Sequence, residues 1–485
     1  MRRTTIGLFF ALFVVSSALV RAQTADSWFT EKLGADEVRA DLRVLVSALH
    51  ELHGGLFLYA DSTHFAAECE ATAERLAEGA TRANAYREMA RLVDHVRDGH
   101  TWIFPSEDDA QRLIKTQVFI PFTIEVSGTA MYVDSCYAVN GALPSGARLV
   151  AIDGRPIRAV VAELLPYFTA DGSSLAGKLG GLESQFWWYY GLHYGFNDYF
   201  EIVYEFAGLT RSVQLEALKM ATLRERFSRD AGSEKPVSWS VDNGVAYLRV
   251  ASFSGYSLPK YRRNFNRALE SFHAAGCSEL IVDLRGNGGG REGVENLLIS
   301  CLGQHCADKY DQVAIRRPVA KSYTHMQQPV RRRLEDWVYR LVEFRKDESG
   351  TWNRRSRFKR SFYMPNHPFT KPTSVLVDRN TFSGAAEFAA LVRDHVPGLL
   401  IIGEETCGGY QGHVSGYSYE IRLPNTAFEL HVPRVHFDLN VPGSHAGGVL
   451  PHIYMSDRHL DVRQVIERVV YQTRKYNETT AFSQP

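Results

Sequence analysis

The chain has 485 residues, 45% hydrophobic and 23% charged, a balance typical of globular protein and enough length for about two to four domains with substantial cores. Its 55 Lys and Arg equal its 55 Asp and Glu, and no long basic block interrupts it, which argues against a nucleic-acid binder.

The N-terminus, MRRTTIGLFFALFVVSSALVRAQ, has a targeting layout. Arg2 and Arg3 precede an apolar run from Ile6 to Val20, and Val20-Arg21-Ala22 places small residues where a signal peptidase reads. The expectation is a signal peptide over 1–22 and a mature protein that is exported, to the periplasm or the extracellular space, with no stable membrane span. Six cysteines (Cys69, Cys136, Cys277, Cys301, Cys306 and Cys407) are too few for a disulfide scaffold at this length. Cys301 and Cys306 are close enough in sequence to pair. The absence of CxxC or a His/Cys cluster gives no zinc signature, and no metal or cofactor is expected.

Residues 24–115 carry apolar positions at helical spacing over Asp36–Leu52, Ala66–Ala77 and Ala85–Val96, predicting an N-terminal helical domain. Residues 116–218 change to short strand-like runs, "VFIPFTIEV", "AMYVDSC" and "ARLVAIDG", and "LPSGARLVAIDGRPI" is similar to a PDZ core, a fold that captures peptide tails at a sheet edge. The aromatic stretch 186–200, "FWWYYGLHYGFNDYF", reads as packing between domains or as an apolar binding surface, the former preferred. Residues 236–470 alternate strands ("GVAYLRV", "LIVDL", "SVLVD", "GLLIIGEE") with helices at Tyr261–Ala275, Gly293–Leu302 and after Gly384, as an α/β core does. Within them 308–370 is basic and irregular, an insertion or mobile segment beside the site. Residues 471–485 are read as a tail.

Three motifs carry chemistry. In "SVLVDRNTFSGAAEFAALV" (374–392), Ser383 stands between a strand and a helix. Taken alone it reads as a helix cap more readily than as a nucleophile exposed at the end of a sheet. "LIVDLRGNGGG" (280–290) is a strand followed by glycines that free backbone N–H groups to face a ligand. It lacks the Lys-Ser/Thr of a phosphate loop, leaving an oxyanion hole or a tight turn. "VRDGHTWIF" (96–104) sets His100 in a turn beside apolar neighbours that suggest it faces inward.

In order, "DGHT", a PDZ-like segment, "DLRGNGGG", "NTFSGAAE", "IIGEETCGG" and "GGVLP" resemble the serine peptidases that include the C-terminal (tail-specific) processing proteases and the tricorn core protease. The resemblance covers most of 30–455. It implies an α/β fold with a crotonase-like catalytic core behind the helical and PDZ-like domains, and it reverses the cap reading of Ser383. Ser383 becomes the nucleophile, with an oxyanion hole from the N–H of Gly384 and one from the Gly288–Gly289 loop. Such a serine needs a base. Bacterial processing proteases use a lysine in "GxxTxGKG", but here "GEETCGGYQGH" puts Gly409 at that place with no lysine nearby. The tricorn-like branch uses a histidine from the preceding domain, which His100 matches, and an imidazole suits the task at neutral pH.

The residue that orients His100 is less plain. That branch places a glutamate before "GVxPD"; this chain has "SHAGGVLPH", with His445 near the glutamate's place and His452 at the aspartate's. Glu404, Glu405, Asp98 and His413 are the other candidates for the third member. Glu387 is expected to brace the serine turn, Arg285 to pair with nearby carboxylates and Cys407 to be buried. The implied function is an exported serine peptidase acting on peptides or protein C-terminal regions through an acyl-enzyme. Homo-oligomerisation is left open. The alternative is a catalytically weak or inactive homologue that binds lipophilic or peptide ligands. An acyl-CoA enzyme on the same fold is disfavoured by export.

Overall fold

The computed structural model describes residues 27–138, 143–230, 234–304, 309–355, 365–443, 445–456 and 460–481. The leader expected over 1–22 and Cys306 lie outside them; Cys301 is a free, buried thiol.

The architecture is mixed α/β, as the sequence indicates. Its centre is a six-stranded sheet in the order Val237–Asp242, Val245–Val250, Glu279–Asp283, Thr373–Val377, Leu400–Gly403 and Ile453–Tyr454. The first pair is antiparallel and the rest are parallel. Alternation divides its side chains between two faces. Ala246, Leu248, Leu280, Val282, Val375 and Ile401 pack under the helices Leu258–Ala274, Val294–Cys301 and Gly384–His395. Val245, Tyr247, Ile281, Leu376 and Ile402 are covered by Val465, Ile466 and Val469 of the helix Val462–Ala481. That helix runs through the boundary drawn at 470, so the supposed tail forms part of this layer.

The basic region 308–370 is not the irregular insertion expected. Tyr310–Ile315 pairs with Val435–Leu439, which pairs with Gly412–Ser415, and Trp352–Arg354 and Phe344–Lys346 extend the same sheet. Its β-branched and aromatic residues were masked in sequence by the surrounding arginines.

The N-terminal helices and the β-rich region share one core. Tyr86 stacks on Tyr167 at 5.6 Å, and Tyr167 stacks on Tyr189 at 5.0 Å. The 186–200 aromatics are therefore packing: Phe186, Trp188, Tyr189 and Tyr190 are buried on the helix Leu175–Tyr194. The same core reaches Tyr419–Val432, because Trp102–Phe104 pairs with Glu429–Val432. This docks the His100 turn against the C-terminal part of the chain.

Candidate active site

The strand Thr373–Val377 ends in a turn held by Asp378, whose Oδ1 accepts the N–H groups of Asn380 (3.0 Å) and Gly286 (2.8 Å). Thr381 Oγ1 donates to Leu284 O at 3.1 Å, and Phe382 N to Asn287 O at 3.0 Å. The turn and the glycine loop are thus fastened together. Ser383 follows at the N-cap position with φ +52° and ψ −131°, and its side chain makes no capping hydrogen bond. A non-glycine residue held at positive φ is strained and persists where its surroundings fix it. The cap reading fails on this geometry: the position is that of a cap, but the hydroxyl does not cap the helix.

Gly289 packs directly on this elbow. A Cβ there would stand 2.8 Å from Ser383 Cβ and 2.9 Å from Gly384 N. Its own N–H is spent on Asn287 Oδ1 (2.9 Å). A Cβ on Gly288 would meet open space, and the N–H groups of Gly288 and Gly384 have no acceptor among the described residues. Of the two loop glycines, Gly288 is therefore the one with a donor to offer.

His100 N donates to Asp98 Oδ1 at 3.1 Å, which holds the turn. The imidazole stacks on Phe382, the residue before Ser383, at 4.3 Å and 30°, and on His413 at 5.3 Å and 27°. Its Nδ1 is buried without a hydrogen bond, 3.9 Å from Asp98 Oδ1. Burial, reinforced by His413, pulls His100 down to about 3, and burial pulls His413 down to about 4, so both rings are neutral at pH 7.

Behind His100 lies a polar cluster. His53 Nδ1 accepts from Gly55 N (3.2 Å), which leaves Nε2–H to donate to Asp98 Oδ2 at 2.8 Å. Thr101 Oγ1 donates to the same oxygen at 2.6 Å. Against the cost of burial these donors hold Asp98 down to about 2. Asp171 is its neighbour: a ring nitrogen of His100 and one oxygen of each carboxylate all lie within 4.8 Å of one another. Burial and the Asp98 charge push Asp171 well above the usual carboxylate range. Asp171 accepts from Gly99 N at 2.8 Å and Gly409 N at 2.9 Å, tying the His100 turn to the loop whose Gly408 packs on Ser383. Sequence reasoning missed Asp171 and His53. Asp171 sits in "TADGSS", which reads as an ordinary turn. These three groups are the described set near enough to hold a metal ion. Their carboxylate oxygens are already engaged by internal donors.

Of the sequence candidates for the third member, His413 and Asp98 adjoin His100. Glu404 does not serve: it is buried against Arg379, whose guanidinium also contacts Glu183 at 3.1 Å. Glu405 accepts from Gly448 N at 2.9 Å, and His445 Nε2 is buried without a hydrogen bond. Both border Gly447, where a Cβ would lie 2.8 Å from Glu405 Oε1 and 2.9 Å from His445 Nε2. Glu387 braces the elbow helix as expected, accepting from Lys309 Nζ (2.6 Å) and Tyr310 OH (2.9 Å). Lys309 also reaches Glu295 at 2.9 Å. Arg285 pairs with Asp283 at 2.7 Å, and burial raises the Cys407 thiol.

A strand–turn–helix elbow bearing a strained serine, backed by a glycine loop, defines the class of α/β serine hydrolases. Residues 244–455 match the model of peptidase family S41, the family its motifs resemble, and this match supports a serine-type peptidase. Among solved structures, mature CPAF complexed with lactacystin is similar at 15% identity and a TM-score of 0.60, over 92% of this chain and 99% of that one. Mature CPAF is similar at 15% identity and 0.57, over 87% and 92%. The photosystem II D1 C-terminal processing protease matches at 17% identity and 0.42, over 89% and 96%. No curated protein sequence matches the chain.

Proposed function

We propose that the protein cleaves peptides or protein C-terminal regions through an acyl-enzyme, with Ser383 as nucleophile and His100 as general base. The observation that carries this reading is Ser383 itself, held at positive φ with a hydroxyl that does not cap its helix, beside two unengaged N–H groups. The Ser383 hydroxyl attacks the scissile carbonyl while His100 Nε2 takes its proton. The N–H groups of Gly384 and Gly288 receive the oxyanion, each worth about 2.7–4 kcal/mol in such sites. His100 Nδ1 faces Asp98, whose charge stabilises the imidazolium that forms. Asp98 takes the orienting role in place of a glutamate near 445, and Asp171 keeps the turn in place. The N-terminal apolar run acts as an export leader, so the enzyme works in the periplasm or outside the cell.

One observation favours a second reading, a silent homologue that binds lipophilic or peptide ligands: the 3.9 Å between His100 Nδ1 and Asp98 is too long for a hydrogen bond. The two are separated by incubating the chain from Gln23 onward with a mixed peptide pool, beside Ser383→Ala and His100→Ala, and reading products by mass spectrometry. Cleavage lost in both variants supports the peptidase reading. No cleavage by the wild type transfers support to the binder.

A further inference from the structure

The helix Pro329–Val338, prolonged by a wide turn over Tyr339–Glu343, is amphipathic the wrong way round for a helix on a protein surface. Two of its three acids point inward. Asp336 is fully buried and accepts from Arg434 Nη1 (2.7 Å), Tyr323 OH (2.6 Å) and Ala320 N (3.0 Å), and Tyr419 OH also donates to it. Glu343 is buried and accepts from Arg354 Nε at 2.7 Å and from Tyr417 OH. With its polar face anchored, the helix presents its apolar face to solvent: Val330 is 75% exposed, Leu334 65% and Leu341 64%, with Trp337 and Val338 between them. At about 100° per residue these five positions fall within one arc of about 100°. An ordinary surface helix buries such a stripe.

The rim of the stripe is basic. Arg333 and Arg340 flank one side and Arg331 the other, and exposed Arg345 and Lys346 follow. The Arg340 guanidinium lies 5.2 Å over the Trp337 ring. The one acid on the helix that is not buried, Glu335, is paired with Arg331 (2.7 Å) and Arg332 (3.0 Å). A second copy laid stripe to stripe would bring these cationic rims together, which disfavours it. An anionic lipid surface satisfies both parts, taking the apolar residues at the depth of its headgroups and the arginines on its phosphates. Among the described residues no helix is long and apolar enough to cross a membrane, so the contact is peripheral.

We propose that this helix is a docking surface for anionic lipid bilayers. The site is distinct from the serine elbow and stands whether or not the peptidase reading does.

The test is vesicle co-flotation of the chain from Gln23 onward, so that the apolar leader contributes nothing. Phosphatidylglycerol–phosphatidylcholine vesicles are compared with phosphatidylcholine alone. Binding stronger by about tenfold on the anionic vesicles, falling with salt, is expected. Leu334→Gln/Leu341→Gln and Arg333→Gln/Arg340→Gln should each abolish it while leaving the melting temperature and peptide cleavage as in the wild type. All four residues are exposed, so folding is preserved. The proposal fails if the wild type does not float, if both double variants float equally well, or if sedimentation shows a dimer that Leu334→Gln/Leu341→Gln dissociates. The last result would assign the stripe to a second copy.

Discussion

Asp98 and Asp171 are buried side by side with their proton affinities pushed in opposite directions. The His53, Thr101 and backbone donors hold Asp98 below the usual carboxylate range, whereas burial and the Asp98 charge push Asp171 above it. Close carboxylates in a low-dielectric interior disfavour a second charge, and the hydrogen-bond donors set which of the two is favoured to ionise.

Its hydrogen bonds to Gly99 N and Gly409 N make Asp171 a positioning residue. Asp171→Asn should lower kcat by about 10–100-fold with KM little changed, because the amide cannot accept both the Gly99 and Gly409 N–H groups. Asp171→Ala should in addition destabilise by about 1–3 kcal/mol for each stranded N–H. Steady-state kinetics and urea unfolding on the two variants check both. An unchanged kcat in Asp171→Asn would remove the residue from the site.

The two loop glycines should respond oppositely to alanine. Gly289→Ala forces a methyl group onto Ser383 and Gly384 at a φ of +84°, and peptide cleavage should fall at least about 100-fold. Gly288→Ala meets open space and keeps its N–H, so activity should stay within about threefold. Reversed results would place the oxyanion donor at Gly289.

Acid should unfold the protein before it silences the base. His100 and His413 are held at about 3 and about 4, below their ordinary 6.5. The unfolded chain therefore binds more protons between pH 6.5 and about 4, and stability falls as pH falls through that window. Asp98, lowered to about 2 from 3.8, adds loss in the same direction below that. Urea midpoints should drop from pH 7 to pH 4.5, while kcat/KM of the folded enzyme shows no acid limb centred near 6.5. Such a limb would mean that His100 titrates like an exposed imidazole.

The Glu295–Lys309–Glu387 cluster should be unforgiving. Lys309→Met leaves two buried carboxylates facing one another and should cost about 3–5 kcal/mol, measured by denaturant unfolding. A loss below about 1 kcal/mol would show that water reaches the cluster.

Strand and helix patterns over 244–302 and 374–403 were legible because period-two and period-3.6 alternation are local properties of the chain. The strand Tyr310–Ile315 was not, since it is completed by Val435–Leu439 and its own composition is diluted by charge. At the site, the glycine loop stood out by its composition, whereas Ser383 taken alone read as a helix cap and stood out only through the order of motifs that resembles a family. Asp171 did not, because its partners are amides of Gly99 and Gly409, distant in the chain and supplied by backbone that carries no letter code. Glu404 misled for the converse reason: its partner Arg379 is also remote in sequence.

The pairing of Trp102–Phe104 with Glu429–Val432 has a consequence for the order in which the protein is made. The strand that seats the His100 turn is made well before Ser383, and the strand that completes its sheet is made after it. A growing chain that has already emerged past Ser383 still lacks that closing strand. It holds Ser383 and His100 without the strand pairing that seats the His100 turn, so the seating of that turn is a late event.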